Sequence, residues 1–153
     1  MSNLNAIYNF VQVTENLGTS GQPTAAQFQD IASEGYQILI NLAPSDVKGA
    51  IPNEGEIVAS TGMDYLQIPV IWAKPTLEDW DTFVSALDAN KDKKVYIHCQ
   101  ANMRVSAFVM LYRHIKLGID FEEAHTPMLP IWNPEQENPV WADFIEDVLN
   151  KEK

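Results

Sequence analysis

The apolar positions of the chain change period several times, and each change marks an element. Phe10–Val13 (FVQV) and Leu17–Ser20 are short strand-like pieces, read as an opening hairpin or edge strands. Thr24–Glu34 reads as a helix: Pro23 precedes it, and Thr24 with Gln27 has capping-box spacing. Gln37–Leu42 (QILINL) is a branched apolar run suited to a buried strand. A helix over Pro52–Thr61 and a strand over Asp64–Val70 (DYLQIPV) follow. Thr76 caps a helix to about Ala89, with Leu77, Trp80, Val84 and Leu87 at helical spacing. Lys94–His98 (KVYIH) is a short strand, read as central. Arg104–Leu117 is helical, with Val105, Phe108, Val109, Tyr112 and Ile115 on one face and Gly118 as the stop. Asp120 starts a further helix, Pro127 to Pro139 reads as loop, and Trp141, Phe144, Ile145, Val148 and Leu149 form the stripe of a last helix.

Strands alternating with helices predict a layered α/β domain. No repeat, low-complexity tract or long linker divides the 153 residues, so the expectation is one domain over 1–153. With 46% apolar and 20% charged residues, disordered, collagen-like and disulfide-scaffold classes are out. No apolar run approaches the ~20 residues that span a bilayer. The opening MSNLNAIYNF lacks the basic and apolar stretches of a secretory signal.

Charge narrows the partners. Ten Lys+Arg against 21 Asp+Glu leave −11, and Arg104 and Arg113 are the two arginines. Nucleic-acid binders present a basic face that releases counterions. Nucleic acid and anionic membrane are therefore not expected as partners. An anionic small molecule would need a local site working against the global field. One cysteine, Cys99, allows no internal disulfide and no zinc cluster. It fits a reducing compartment, so a cytoplasmic location is expected; a removed leader would make it periplasmic. His114 and His125 read as ordinary helix or surface residues without metal-ligand spacing, and no metal or cofactor is expected.

The segment KKVYIHCQANMRVSAFVML carries the chemistry. A strand ends at His98–Cys99, which puts a thiol at the carboxyl edge of the sheet, where open α/β folds bind ligands. Gln100, Ala101, Asn102 and Met103 form a short loop that leads to Arg104 at a helix start. Unpaired N–H groups and the positive dipole end make that start an anion site and favour a thiolate. Arg104 offers a planar fork for two oxygens of a phosphate or sulfate. Asn102 suits a loop position that needs φ > 0. An isolated cysteine at a strand end is usually a small buried hydrophobe; the combination with the turn, arginine and helix points to an anion-binding thiolate.

HCQANMR resembles the signature loop of cysteine-dependent protein phosphatases. The likeness continues through SGQPTAAQFQDIASEGYQILINL, MDYLQIPV, KPTLEDWDTFVSAL and KKVYIHC, which look like the dual-specificity-phosphatase-like domain of the beta-lactamase-hydrolase-like proteins, over about residues 10–118. The resemblance implies a three-layer α/β/α sandwich on a mostly parallel sheet of four or five strands. It implies Cys99 as nucleophile, Gln100–Arg104 as the phosphate cradle, and His98 and Ser106 as supporting residues. It also implies a phosphorylated small molecule or phosphoprotein as substrate.

The sequence departs from the pattern at several points. No glycine lies between Cys99 and Arg104, and Val105 rather than Ser or Thr follows the arginine. The aspartate general acid that such phosphatases carry after the IPV-like strand is replaced by Ile71, Trp72, Ala73 and Lys74. Asp46, Glu54, Glu78, Asp79 and Asp81 are the carboxylates near the site in the expected fold, Asp46 and Asp79 foremost. Trp72 could serve as an apolar wall for the substrate or as a core residue.

The expected function is a cysteine-dependent phosphomonoester hydrolase acting through a phosphocysteine. Two alternatives stay open. One is a non-catalytic phosphate-binding pseudo-phosphatase. The other is a rhodanese-like sulfurtransferase, whose loop has the same four-residue spacing between Cys and Arg.

Overall fold

A computed structural model describes residues 3–152 of the chain. Five strands form one sheet in the order β1-β2-β5-β3-β4, where β1 is Val11–Thr14, β2 Leu17–Ser20, β3 Ile38–Asn41, β4 Asp64–Gln67 and β5 Val95–His98. The β1–β2 hairpin is antiparallel; every other pairing is parallel. All four residues of β3 and of β5 are buried, the apolar ones with Asn41 and His98 at the strand ends. The predicted fourth strand extends to Val70, and pairing does continue there through Ile68 N to Asn41 O and Val70 N to Leu42 O, both 2.9 Å. The two acceptors are consecutive residues where a regular parallel ladder steps by two, so the register slips and the regular ladder stops at Gln67.

Among the described residues seven α-helices surround the sheet: α1 Ala25–Ser33, α2 Glu54–Ser60, α3 Leu77–Ala89, α4 Met103–Ile115, α5 Phe121–His125, α6 Pro134–Glu137 and α7 Pro139–Lys151. The two-residue period of the strands sorts the core into two layers. Leu39 and Tyr96 point to one face and pack with Phe28 and Ile31 of α1 and Val58 of α2. Ile38, Ile40, Val95 and Ile97 point to the other and pack with Trp80, Phe83, Phe108 and Trp141 from α3, α4 and α7. Helices therefore cover both faces, the three-layer arrangement expected. Each fully buried Phe or Leu contributes roughly 1.5–3 kcal/mol, which makes this aromatic layer the larger share of the core.

Local sequence chemistry sets the helix starts. Thr24 and Thr76 both form capping boxes, with Gln27 and Asp79 as their reciprocal partners. The stretch from Pro127 to Pro139, predicted to be loop, contains the last two residues of a 3₁₀ turn over Thr126–Met128, all of α6, and the first residue of α7. Pro134 and Pro139 each stand in the first turn of a helix, where the missing N–H would have had no partner anyway. No helix among the described residues is long and apolar enough to cross a membrane.

Candidate active site

β5 delivers Cys99 to the carboxyl edge of the sheet, where its backbone N–H donates to Ser20 O of the neighbouring β2 at 3.3 Å. The next residues are pinned by their carbonyls. Cys99 O lies 3.2 Å from His98 Nδ1, Gln100 O accepts from Gln22 N at 3.1 Å, and Ala101 O accepts from Asn9 Nδ2 at 3.0 Å. In a trans peptide the C=O and the following N–H point opposite ways. The N–H groups of Gln100 and Ala101 are thus turned away from these anchors. With the unpaired first N–H groups of α4 they form a ready set of donors for an oxyanion.

Asn102 makes the turn into α4 at φ 64, ψ 8, the left-handed region that asparagine tolerates best after glycine. Its side chain is fully buried, and Nδ2 donates to Asn9 O at 2.9 Å and Thr19 Oγ1 at 3.2 Å. Asn9 is itself at φ 53, so two left-handed asparagines clasp each other across the start of the chain and the loop. Gly21 packs so closely on this loop that a Cβ there would meet Gln100 O at 2.8 Å and Tyr8 Cδ2 at 2.6 Å.

Arg104 is 5% exposed and held from two sides. Nε donates to Val70 O at 2.9 Å, and the guanidinium lies 5.3 Å from the Trp72 ring centroid. Burial pushes the guanidinium down from its ordinary value, and the charge and hydrogen bond of Cys99 push back. Cys99 itself is fully buried. An open cleft of about 300 Å³ sits over the loop, lined by Val47, Lys48, Trp72, Gln100, Met103 and Arg104 among others. A roomier cleft of about 730 Å³, walled by Met110, Phe121 and Leu149 on the helical side, contains none of the loop residues.

A carboxylate stands behind the loop. Glu54, 6% exposed at the start of α2, places Oε2 at 2.8 Å from His98 Nε2. It also accepts from Gln22 Nε2 at 2.8 Å and from Tyr65 Oη at 3.0 Å. Burial pushes the Glu54 carboxyl up, but the hydrogen bond and charge of His98, with the bonds from Gln22 and Tyr65, outweigh it and hold the group below its usual range. Among the carboxylates considered as acids, Glu54 is thus engaged beneath His98 rather than in the cleft. Asp79 accepts from Thr76 N in the α3 capping box, Asp81 pairs with Lys151 at 2.6 Å, and Glu78 is exposed in the first turn of the same helix. Asp46 is exposed; its neighbours Val47 and Lys48, rather than Asp46 itself, line the cleft.

Ser106 lies one turn into α4, where Oγ donates to Met103 O at 3.0 Å and accepts from Trp132 Nε1 at 3.1 Å. Trp72 both lines the cleft and packs at 5.3 Å against Trp132 and Trp141. Among the described residues no three His, Cys, Asp or Glu side chains gather as metal ligands.

Asn9, Gln22 and Trp132 hold the site together, and the sequence reading passed them by. Asparagine's taste for positive φ was the available signal at Asn9; the other two carry none, because their partners lie far off along the chain.

Comparison with known proteins agrees with this geometry. The solved "Putative phosphatase (DUF442)" of Shewanella putrefaciens CN-32 superposes with TM-score 0.87 at 38% identity, over 98% of this chain and 97% of that one. P. aeruginosa TpbA, solved in complex with pTyr, shares the fold at TM-score 0.72 and 16% identity, over 93% of this chain and 86% of that one. The beta-lactamase hydrolase-like protein of Xylella fastidiosa (strain Temecula1) is 34% identical over 105 residues, 67% of this chain. The chain spans about a quarter of that relative's length. The family model described as DSP-PTPase phosphatase fused to NAD+ kinase matches residues 6–137. The chain therefore belongs to that DSP-PTPase phosphatase family.

Proposed function

We propose that the protein is a cysteine-dependent phosphomonoester hydrolase with Cys99 as nucleophile. Cys99 Sγ attacks phosphorus, an S–P bond forms, and the P–O bond to the leaving group breaks. Water then attacks the phosphocysteine, the S–P bond breaks, and inorganic phosphate leaves. The N–H groups of the loop and the fork of Arg104 hold the equatorial oxygens as charge shifts through the transition state. The observation that carries this reading is the setting of Arg104. It is fixed by Val70 O and the Trp72 face and feels the charge of the strand-end cysteine, beside a loop whose carbonyls are tied back.

A second reading, phosphate binding without turnover, is favoured by two observations. The residues that line the cleft include no carboxylate to protonate a leaving group, and Cys99 is fully buried. Turnover of an aryl phosphate by the unmodified chain, abolished in Cys99→Ser, supports hydrolysis. Vanadate binding with no turnover supports the second reading.

A further inference from the structure

Arg104 and Arg113 occupy opposite ends of α4, nine residues and about 13 Å apart at 1.5 Å per residue. The Arg104 side chain has partners; that of Arg113 has none. Arg113 is 6% exposed, Nε and Nη1 are shut off from solvent without a hydrogen-bond partner, and no carboxylate pairs with it among the described residues. The negative end of the α4 dipole explains a cation in the last turn. It does not satisfy donors, and a buried cation with unmet donors is costly to keep.

Arg113 lines a cleft of about 190 Å³ at the end of the sheet away from Cys99. Its walls are apolar: Leu17 of the hairpin, Leu87 of α3, Val95 of β5 and Leu117 beyond α4. Ile119 joins them because the chain turns back at Gly118, φ +70, and Ile119 N bonds to Arg113 O at 3.0 Å. The stems of Lys91 and Lys93 complete the rim, so three of the chain's ten basic residues meet here in a protein of charge −11. Lys93 also reaches Asp64 at 3.9 Å on the surface. The space equals about six water volumes at ~30 Å³ each. A hydrated inorganic ion would leave these apolar walls uncovered.

We propose that this cleft binds a small organic monoanion, a carboxylate head on a short apolar body, with Arg113 holding the head through Nη2, the guanidinium nitrogen not shut off from solvent. The site is separate from the cysteine loop and does not depend on what that loop catalyses.

Amide NMR titration of the unmodified chain tests this with hexanoate, its uncharged analogue hexanamide, and inorganic phosphate. Hexanoate is expected to shift the amides of Leu17, Leu117 and Ile119 saturably, hexanamide to leave them in place, and phosphate to act at Gln100–Arg104. Arg113→Gln is expected to weaken hexanoate binding roughly tenfold or more, the usual scale for a charge-assisted bond. Equal shifts from hexanoate and hexanamide, hexanoate shifts confined to residues 99–104, phosphate binding this cleft as well as hexanoate does, or wild-type affinity in Arg113→Gln would each overturn the assignment. Should Arg113→Gln fail to fold, the hexanoate–hexanamide comparison in the unmodified chain decides the matter.

Discussion

Arg104 Nε donates to the carbonyl of Val70, so the cation of the cysteine loop takes its bearing from the strand two places away in the sheet rather than from its own helix. Arg104→Ala should raise the dissociation constant for vanadate roughly 10- to 100-fold, the range for losing a bidentate charge-assisted contact. Arg104→Lys should recover little, because a point charge on a flexible stem cannot hold Val70 O and an anion together. Arg113→Ala should leave vanadate binding within about twofold. Titration calorimetry on the three variants checks the order, and equal losses at Arg104 and Arg113 would remove the cradle from the mechanism.

Glu54→Gln should destabilise the fold by about 1–3 kcal/mol, the cost of disturbing a buried charged hydrogen-bond set. The pH dependence has a definite sign. Glu54 titrates below its ordinary 4.5 in the folded chain, so its stabilisation is fully present above about pH 4.5 and is lost as pH falls through the lowered folded value. The difference in melting temperature between the wild type and Glu54→Gln should shrink as the pH drops from 6 to 3. A difference that stays constant across that range would show that the Glu54 carboxylate is not charged in the native state.

The burial of Cys99 sets which reagents reach it. Iodoacetamide should alkylate the native protein at pH 6 at least tenfold faster than a bulky maleimide, relative to their rates on a free thiol. Phosphate should suppress both. Mass spectrometry of timed samples gives the rates, and a maleimide reaction as fast as on free thiol would mean that the thiol is open to solvent.

No carboxylate lines the cleft, so turnover should follow the leaving group. A positioned acid typically supplies 10²–10⁴-fold. Nitrophenyl phosphate should therefore exceed an alkyl phosphate by about that factor in kcat/KM. A flat response across leaving groups would point to an acid brought in from outside the cleft, and Asp46 on the loop of Val47 and Lys48 would be the first to replace.

Asn102 combines a left-handed backbone with a buried clasp, and two substitutions separate them. Asn102→Gly keeps the backbone and loses the bonds to Asn9 and Thr19; Asn102→Ala loses both. Urea unfolding should place Ala about 1 kcal/mol below Gly, the cost of left-handed φ for a residue with a Cβ. Equal stabilities would mean that the loop relaxes out of that conformation.

Much of this architecture was readable because its causes are local. Thr24 with Gln27 encodes a helix start within four residues, and the runs ILIN and VYIH announce strands buried on both sides. The cysteine loop was readable for the same reason: strand, turn and helix are contiguous. Pro134 and Pro139 misled because proline breaks a helix interior yet suits a first turn, and nothing near them says which applies. Glu54 could be named only as a nearby acid, since its partner His98 is 44 residues away. Asn9 and Ala101 are 92 residues apart, and no periodicity reports a contact of that span.

The strand order has a consequence for how the chain is made. β2 and β3 never pair with each other; both pair with β5, with Leu17 and Ile38 each opposite Val95. Until residues 95–98 emerge from the ribosome, the hairpin and the β3–β4 pair are two half-sheets, each with an unpaired edge. The strand that joins them ends in the cysteine. A chain cut short before it loses the seam of the sheet together with the loop, and its fragments carry sticky edges rather than a weakened site. The seam of the sheet and the thiol thus arrive together, on the last strand of the sheet to be made.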